Sequence, residues 1–211
     1  MPVKILIVDD DPIFRHGLKD ILAGHFRDAV FAEADEAQRA LEEVWQTNWD
    51  AVVLDINLPG RSGLDILREI KKARPALPVL VLSMHPEEQY AVRILKAGAS
   101  GYITKVKAPE QLAEAIKKLL AGGKFVSAAI AESLITTLNM PVTSVPHEVL
   151  SDREYQIMRL IAVGKTVKEI GFDLSLSVKT VSTYRTRVLK KLDFKTNADV
   201  IRYAMRERLV D

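Results

Sequence analysis

Three consecutive acids, Asp9, Asp10 and Asp11, follow the apolar run ILIV near the start of the chain. Carboxylates this close repel one another, so a folded site must hold them with a cation, a proton or water. Later apolar runs are also followed by polar side chains, namely Asp55, Asn57, Ser83, Thr104 and Lys105. Oxygen ligands without sulfur or clustered histidine suit a hard cation such as Mg²⁺. This chemistry would allow phosphoryl transfer to a carboxylate, with a metal ion and a lysine neutralising charge.

The spacing of apolar residues predicts the elements that would bring these side chains together. Short β-rich runs predict strands at 3–8, 29–34, 51–55, 78–83 and 100–104. Helical periodicity predicts helices at 13–23, 36–47, 63–74, 87–97 and 109–121. Strands that are apolar on both faces and alternate with helices predict a doubly wound α/β fold around a five-stranded parallel sheet. Because ligands bind at the carboxyl ends of such strands, the acids, the hydroxyl and the ammonium should converge there.

Each of these residues also has a purely structural interpretation. Asp55 could cap the following helix, Ser83 could be an ordinary hydroxyl at the end of a strand, and Lys105 could be a surface lysine. Taken singly, these interpretations are favoured for each residue. Complementary chemistry at four strand ends together favours a functional site.

The motifs ILIVDD, VVLDINLPGRSGLDIL, VLVLSMH and KAGASGYITK resemble, in order and spacing, the receiver domain of two-component response regulators over about residues 3–121. The resemblance implies a flavodoxin-like fold in which Asp55 accepts a phosphoryl group. It also implies a Mg²⁺ site made by Asp10, Asp55 and the backbone carbonyl of Asn57, with Asp9 in a supporting role.

The same resemblance assigns the remaining polar positions. Ser83 would be the switch hydroxyl that hydrogen-bonds the phosphoryl oxygens, and Lys105 the cation that pairs with them. Tyr102 matches the aromatic switch position, although a strand aromatic half-buried in the sheet is the alternative. Asp11 departs from the family pattern, in which histidine is common, and its position at the start of a helix predicts a capping role.

The second part of the chain changes character. We expect a receiver domain at 1–122, a linker with a short helix at 123–147, and a helical DNA-binding domain at 148–211. Ser151 and Glu154 have the spacing of a capping box at the start of the first helix of that domain.

Basic residues are concentrated between 179 and 195, where six Lys and Arg stand against one acid, Asp193. In the helical segment SVKTVSTYRTRVLKKL an apolar stripe is predicted at Val178, Val181, Val188 and Leu192. The opposite face carries hydroxyls and lysines without an acid, which favours contacts with phosphates and bases over a merely solvated face. The predicted DNA-binding residues are Lys179, Thr180, Ser182, Thr183, Arg185, Thr186 and Lys190.

The segment from LSDREYQIM to KKLDF resembles the LuxR-type helix-turn-helix domain, so with the receiver the chain resembles a NarL/FixJ-type response regulator. The resemblance implies four helices in this domain, double-stranded DNA as ligand, a homodimer when active, a sensor histidine kinase as phosphodonor and RNA polymerase as a further partner. Gly171 stands where the family usually has alanine. Glycine in a helix costs up to about 1 kcal/mol against alanine, so we expect a looser scaffold helix.

The leading hypothesis is a two-component transcriptional regulator switched by phosphorylation of Asp55, and not an enzyme in its main function. One alternative is an aspartate-based phosphatase that uses Asp9-x-Asp11, although Pro12 and Ile13 do not fit its motif. Another is a regulator whose acidic site is vestigial.

Composition agrees with an ordinary two-domain globular protein. The chain has 211 residues, of which 48% are hydrophobic and 27% charged. It has no cysteine, which excludes disulfides and thiolate metal sites. Its apolar runs fall short of the roughly 20 residues that a bilayer requires. We therefore expect a cytoplasmic protein.

Overall fold

The computed structural model describes residues 2–58, 63–84, 87–128, 130–132, 146–174, 176–207 and 209–210, without the side chains of 87–90, 148 and 152. The chain divides into two compact units, Met1–Pro141 and Val142–Asp211. Residues 128 and 130–132 are helical, and the predicted linker lies outside the described residues at 133–145. None of the described helices is both long enough and apolar enough to cross a membrane.

The first unit has the predicted alternation of strands and helices. In chain order the elements are β1 (Lys4–Val8), α1 (Pro12–His25), β2 (Val30–Ala34), α2 (Ala37–Gln46), β3 (Ala51–Asp55), α3 (Gly63–Ala73), β4 (Val79–Ser83), α4 (Glu87–Lys96), β5 (Gly101–Thr104) and α5 (Ala108–Leu120). The strands pair in parallel in the order β2-β1-β3-β4-β5. The prediction of a doubly wound five-stranded parallel sheet is confirmed.

One face of this sheet carries the main apolar core, which α1 and α5 cover. Its strand members include Ile5, Ile7, Ala51, Val53, Leu80, Leu82 and Ile103. Side chains alternate between the two faces of a strand. Asp9 comes two residues after Ile7 of β1, Asp55 two after Val53 of β3, and Lys105 two after Ile103 of β5. The side chains of these three residues therefore continue the face of the sheet that carries the core.

The opposite face carries Ser83 and Tyr102. Val81 is paired with Tyr102 in the register of β4 and β5, and Ser83 with Thr104. Paired residues of neighbouring strands point to the same face, so Ser83 and Tyr102 are close neighbours there. Helix α4 packs against β5.

The second unit is built from helices. A 3₁₀ turn at Pro146–Val149 precedes α6 (Asp152–Ala162), α7 (Val167–Asp173), α8 (Val178–Leu192) and α9 (Asn197–Arg206). The predicted capping box of Ser151 and Glu154 is present at the start of α6. Two further capping boxes open α7 and α9, so local hydrogen bonds define where these helices begin. The predicted four-helix arrangement is confirmed.

Gly171 lies at a close approach between α7 and the turn that leads to α8. A Cβ atom at this position would lie 2.8 Å from the carbonyl oxygen of Leu176. The N–H of Leu176 donates to the carbonyl of Gly171 at 2.8 Å, which closes the turn. Glycine therefore does more than loosen the scaffold helix, because it makes room for the turn of the helix-turn-helix.

Candidate functional site

The carboxyl ends of β1 and β3 bring three acids together. Oxygen atoms of Asp9, Asp10 and Asp55 lie within 4.8 Å of one another. Asp9 and Asp55 are buried, whereas Asp10 is exposed. A set of carboxylate oxygens with one exposed member is suited to a hard divalent cation that keeps part of its water.

Lys105 neutralises the two buried acids. Its Nζ atom lies 2.7 Å from Oδ2 of Asp9 and 2.8 Å from Oδ2 of Asp55. Burial by itself would lower the pKa of Lys105, but the hydrogen bonds to Asp55 and Asp9 outweigh it and raise that pKa. The side chain is therefore an ammonium ion, and it also lies 4.6 Å from the centre of the Phe14 ring.

Asp9 forms the inner wall of the site. Burial raises the pKa of its carboxyl group, and the nearby charge of Asp55 acts in the same direction against the hydrogen bond from Lys105. Oδ1 of Asp9 accepts the backbone N–H of Asp11 at 3.0 Å, and its backbone carbonyl accepts a hydrogen bond from Arg15 at 2.6 Å. These contacts fix Asp9 below the surface.

Asp11 has a structural position. Its Oδ1 atom accepts the backbone N–H groups of Ile13 at 2.9 Å and Phe14 at 3.2 Å, and so caps the start of α1. Two of the open N–H groups at the helix start are thereby satisfied, as expected from the sequence.

Asp55 lies in an open cleft. Its Oδ1 atom accepts the backbone N–H of Asn57 at 2.9 Å, while Oδ2 faces Lys105. The cleft has a volume of about 500 Å³ and is lined by Asp10, Asp11, Phe14, Asp55, Asn57, Met84, Lys105 and Val106. The Asp55 carboxylate therefore lies on the wall of this cleft, although the residue itself is only 1% exposed.

Ser83 and Tyr102 are both buried, with exposures of 0% and 1%. The tyrosine is therefore fully inside the first unit and not half-buried. Its backbone N–H donates to the carbonyl of Phe125 at 3.1 Å. The two side chains lie on the α4 side of the sheet, whereas the acids and Lys105 continue the other side. The residues predicted for the site thus form two groups at one end of the sheet.

Sequence reasoning missed a supporting group on α1 and β2. Glu33 forms ion pairs with Arg15 at 3.0 Å and Lys19 at 2.9 Å. The hydrogen bond from Lys19 is the main cause that lowers the pKa of Glu33. Arg15 links this pair to the backbone of Asp9. The spacing of Arg15 and Lys19 on one face of α1 was visible in the sequence, but their partner on another element was not.

The outer face of α8 is exposed as predicted. Its exposed members are Lys179, Ser182, Thr183, Thr186 and Lys190. The hydroxyls of Thr183 and Thr186 donate to carbonyls of their own helix at 3.0 Å, which leaves their oxygens open as acceptors. The helix begins after Ser177, whose side chain accepts the N–H of Thr180.

The inner face of α8 differs from the predicted stripe at its start. Val181, Val188 and Leu192 are buried, but Val178 is 49% exposed. The prediction that Val178 belongs to the buried stripe is wrong, and this residue is the first of the helix.

Two of the predicted DNA-binding residues have partners inside the unit. Thr180 is half-buried, and its hydroxyl lies 2.7 Å from the Ser177 hydroxyl. Arg185 is also half-buried, and its Nε atom donates to the side chain of Asn197 at 2.6 Å. These residues lie at the edge of the exposed face and not at its centre.

The sequence matches two known families, one for each part of the chain. Residues 5–117 match the response regulator receiver domain, and residues 148–204 match the luxR family of bacterial regulatory proteins. The chain therefore belongs to the response regulators that join a receiver to a LuxR-type DNA-binding domain. Its function is that of a DNA-binding transcriptional regulator of a two-component system.

Two curated relatives agree with this assignment over nearly the whole length, and a solved structure agrees over part of it. The chain is similar to the response regulator GacA of Pseudomonas syringae pv. syringae (strain B728a), with 33% identity over 99% of this chain and 98% of the relative. It is 34% identical to the oxygen regulatory protein NreC of Staphylococcus carnosus (strain TM300), over 99% of this chain and 100% of NreC. A solved LuxR-family response regulator from Aurantimonas sp. SI85-9A1 is 35% identical, with a TM-score of 0.59, and covers 66% of this chain and 100% of its own.

Proposed function

We propose that a sensor histidine kinase phosphorylates Asp55 and that this modification controls binding of the second unit to double-stranded DNA. The observation that carries the proposal is the environment of the Asp55 carboxylate. It lies in an open cleft, 2.8 Å from the ammonium of Lys105 and beside two further acids.

The chain's own residues supply most of what phosphoryl transfer requires. An oxygen of Asp55 forms a bond to phosphorus while the bond from phosphorus to the donor imidazole nitrogen breaks, and its electron pair stays on that nitrogen. The N–H of Asn57 orients the carboxylate. Lys105 then exchanges part of its contact with Asp55 for the phosphoryl oxygens.

The acidic group fits a Mg²⁺ ion. Asp10 and Asp55 would hold it directly together with the backbone carbonyl of Asn57, and Asp9 would support it from the buried side. Oxygen donors within 4.8 Å of one another match the preference of this cation. When bound, Mg²⁺ would offset negative charge on the phosphoryl group.

The output would pass through the other face of the sheet. Ser83 would donate a hydrogen bond to a phosphoryl oxygen, and Tyr102 would adjust beside it. Both side chains lie under α4, so the change would alter the surface formed by α4, β5 and α5.

The second unit would bind DNA through the outer face of α8. Lysines there would contact phosphates, and the Ser182 hydroxyl would reach phosphates or bases. The oxygens of Thr183 and Thr186, whose hydrogens are donated within the helix, would accept from donor groups of bases. A homodimer would read two half-sites, because one short helix reads little sequence alone. RNA polymerase is a further proposed partner at the promoter.

The test is to label the chain with acetyl phosphate and Mg²⁺ and to locate the modified aspartate by borohydride reduction and mass spectrometry. The label should lie on Asp55, and Asp55→Asn should remove it. Asp65→Asn, which changes an aspartate outside the cleft, is the matched control. A short-lived label on Asp9 would instead support an aspartate-based phosphatase and contradict the proposal.

A further inference from the structure

Basic residues are gathered at the end of the first unit that lies opposite the acidic cleft. Helices α3, α4 and α5 end there, and their last turns contain Lys71, Lys72, Arg93, Lys96, Lys117 and Lys118. Lysine near the end of a helix is favoured by the helix dipole. That explanation would apply equally to α1, whose last turn has only His25, and to α2, whose last turn has no base. The charge is therefore specific to one side of this end.

Contacts place Lys71, Lys118 and Lys124 close to one another. The stem of Lys71 packs against Gly98, where an added Cβ would lie 3.1 Å from Cγ of the lysine. Burial lowers the pKa of Lys71, and the charge of Lys124 adds to this effect. Nζ of Lys118 lies 5.8 Å from the centre of the Phe125 ring, and Phe125 follows Lys124 in the chain.

Much of this positive charge is not compensated within the unit. Lys72, Lys117, Lys118 and Lys124 are exposed. None of these four forms an ion pair with the residues that the structure describes. The nearest acids in sequence are Glu69 for the lysines at 71 and 72, Glu88 for 96, Glu114 for 117 and 118, and Glu132 for 124. We call these six lysines the basic end.

The segment at Phe125, which follows Lys124, lies at the basic end. Phe125 pairs in parallel with Gly101, and its N–H donates to the carbonyl of Ser100 at 2.9 Å. Phe125 is therefore anchored at the amino end of β5, and the first unit continues beyond it with Ile130 buried. Whatever its conformation, the chain from Phe125 to Pro146 spans at most about 75 Å. DNA held by the second unit is thus kept within reach of the basic end at high local concentration.

We propose that the basic end binds phosphates of the DNA that flanks the segment bound by α8. This inference rests on DNA binding by the second unit. DNA is the polyanion that the protein itself brings close to this surface. Lysines act on phosphates as point charges, so the contact would add affinity and salt dependence without reading sequence.

The test measures DNA binding by the full-length protein with fluorescence anisotropy. It uses two labelled mixed-sequence duplexes of about 15 and about 50 base pairs, because only the longer one provides flanking DNA for the basic end. The variant is Lys118→Gln with Lys124→Gln. The matched control is Arg39→Gln with Arg68→Gln, which removes two exposed charges on α2 and α3.

We expect the lysine variant to bind the long duplex about 3- to 10-fold more weakly than the control near 0.1 M salt, and its slope of log affinity against log salt to fall by about 1 to 2. On the short duplex the two variants should bind alike. Lys72→Gln with Lys117→Gln should repeat the effect, and labelling by acetyl phosphate should be unchanged as a check of folding.

Three results would overturn the proposal. In the first, the lysine variant and the control bind the long duplex with equal affinity. In the second, the lysine variant is weakened equally on both duplexes. In the third, the lysine variant loses binding to labelled poly-L-glutamate while its DNA binding is unchanged, which would assign the basic end to an acidic protein. A native chain that binds neither duplex would contradict DNA binding by the second unit itself.

Discussion

Lys105 is the residue on which the charge balance of the cleft depends. Two buried carboxylates, those of Asp9 and Asp55, lie within 2.8 Å of its ammonium group. Removal of one partner from a buried ion pair is strongly destabilising, since the remaining charge is left without compensation. The lysine proposed to assist phosphoryl transfer therefore also holds the unmodified site together.

Lys105→Met should lower the free energy of unfolding of the first unit by about 3 kcal/mol at pH 7 without Mg²⁺. Added Mg²⁺ should restore more of that stability in the variant than in the native chain, because the cation takes over the pairing with the carboxylates. Urea unfolding followed by the fluorescence of Trp45 and Trp49, both in this unit, measures the effect. Lys72→Met, at an exposed lysine, is the control, and equal midpoints for the two variants would contradict the argument.

The acids of the cleft show how far single residues could be predicted. The cap made by Asp11 was predictable because its partners lie two and three residues away. The convergence of Asp9, Asp55 and Lys105 was predictable because each residue lies at the carboxyl end of a strand of the same parallel sheet. The burial of Asp9 beneath Lys105 and Arg15 was not predictable, since it depends on packing between elements that are far apart in the chain.

At the scale of elements, the turn between α7 and α8 depends on Gly171. Gly171→Ala should lower the melting temperature of the second unit, although alanine is the better helix former by about 1 kcal/mol. The reason is the contact of 2.8 Å between an added Cβ and the Leu176 carbonyl oxygen. Calorimetry checks this.

Gly17→Ala in α1 is the matched control, because an added Cβ there meets no atom within 4 Å. That substitution should raise the stability of the first unit by up to about 1 kcal/mol. If Gly171→Ala were equally stabilising, the close approach would have no energetic importance.

An ion pair joins α6 to α8. Glu154, whose side chain is 4% exposed, lies 2.7 Å from Nζ of Lys191. Burial alone would raise the pKa of Glu154, but hydrogen bonds from Lys191 and Ser151 outweigh it and lower that pKa. The pair therefore stabilises the folded unit above the usual glutamate pKa, and this contribution is lost as the pH falls through the lowered value.

Glu154→Gln should reduce the free energy of unfolding of the second unit by about 1 to 2 kcal/mol at pH 7. The difference from the native chain should shrink as the pH falls below the usual glutamate range and through the lowered pKa of Glu154, where the native carboxylate takes up a proton. Urea unfolding at pH 7 and at low pH, followed by circular dichroism, measures it. A difference that does not change with pH would show that charge is not the cause.

Elements were predictable where the signal is local. The strands, the helices and the capping box at Ser151 follow from periodicity and from contacts three residues apart. Three features depend instead on neighbouring elements: the exposure of Val178, the ion pair of Glu154 with Lys191, and the close approach of the turn to Gly171. Spacing along one helix could not reveal them.

At the scale of the whole molecule, the first unit is electrically polarised. Acids lie at the carboxyl ends of β1 and β3, and lysines are gathered on one side of the opposite end. The family assignment was predictable because its motifs extend over nearly the whole sequence. The polarity was hidden, since the six lysines are spread over more than fifty residues and the net charge of the chain is only +2.

Phosphorylation and DNA binding should be coupled across the two units. With acetyl phosphate and Mg²⁺, the affinity of the full chain for a DNA duplex should change by about 5- to 150-fold, the usual range of an allosteric coupling of 1 to 3 kcal/mol. Asp55→Asn should bind with one affinity under both conditions, while Asp65→Asn should respond like the native chain. Ser83→Ala should still be labelled but should lose part of the response, because we propose that its hydroxyl connects the phosphoryl group to the α4 side of the sheet. Anisotropy titrations with and without the phosphodonor measure each case, and a native chain whose affinity stays constant would show that the acidic site does not control the DNA-binding unit.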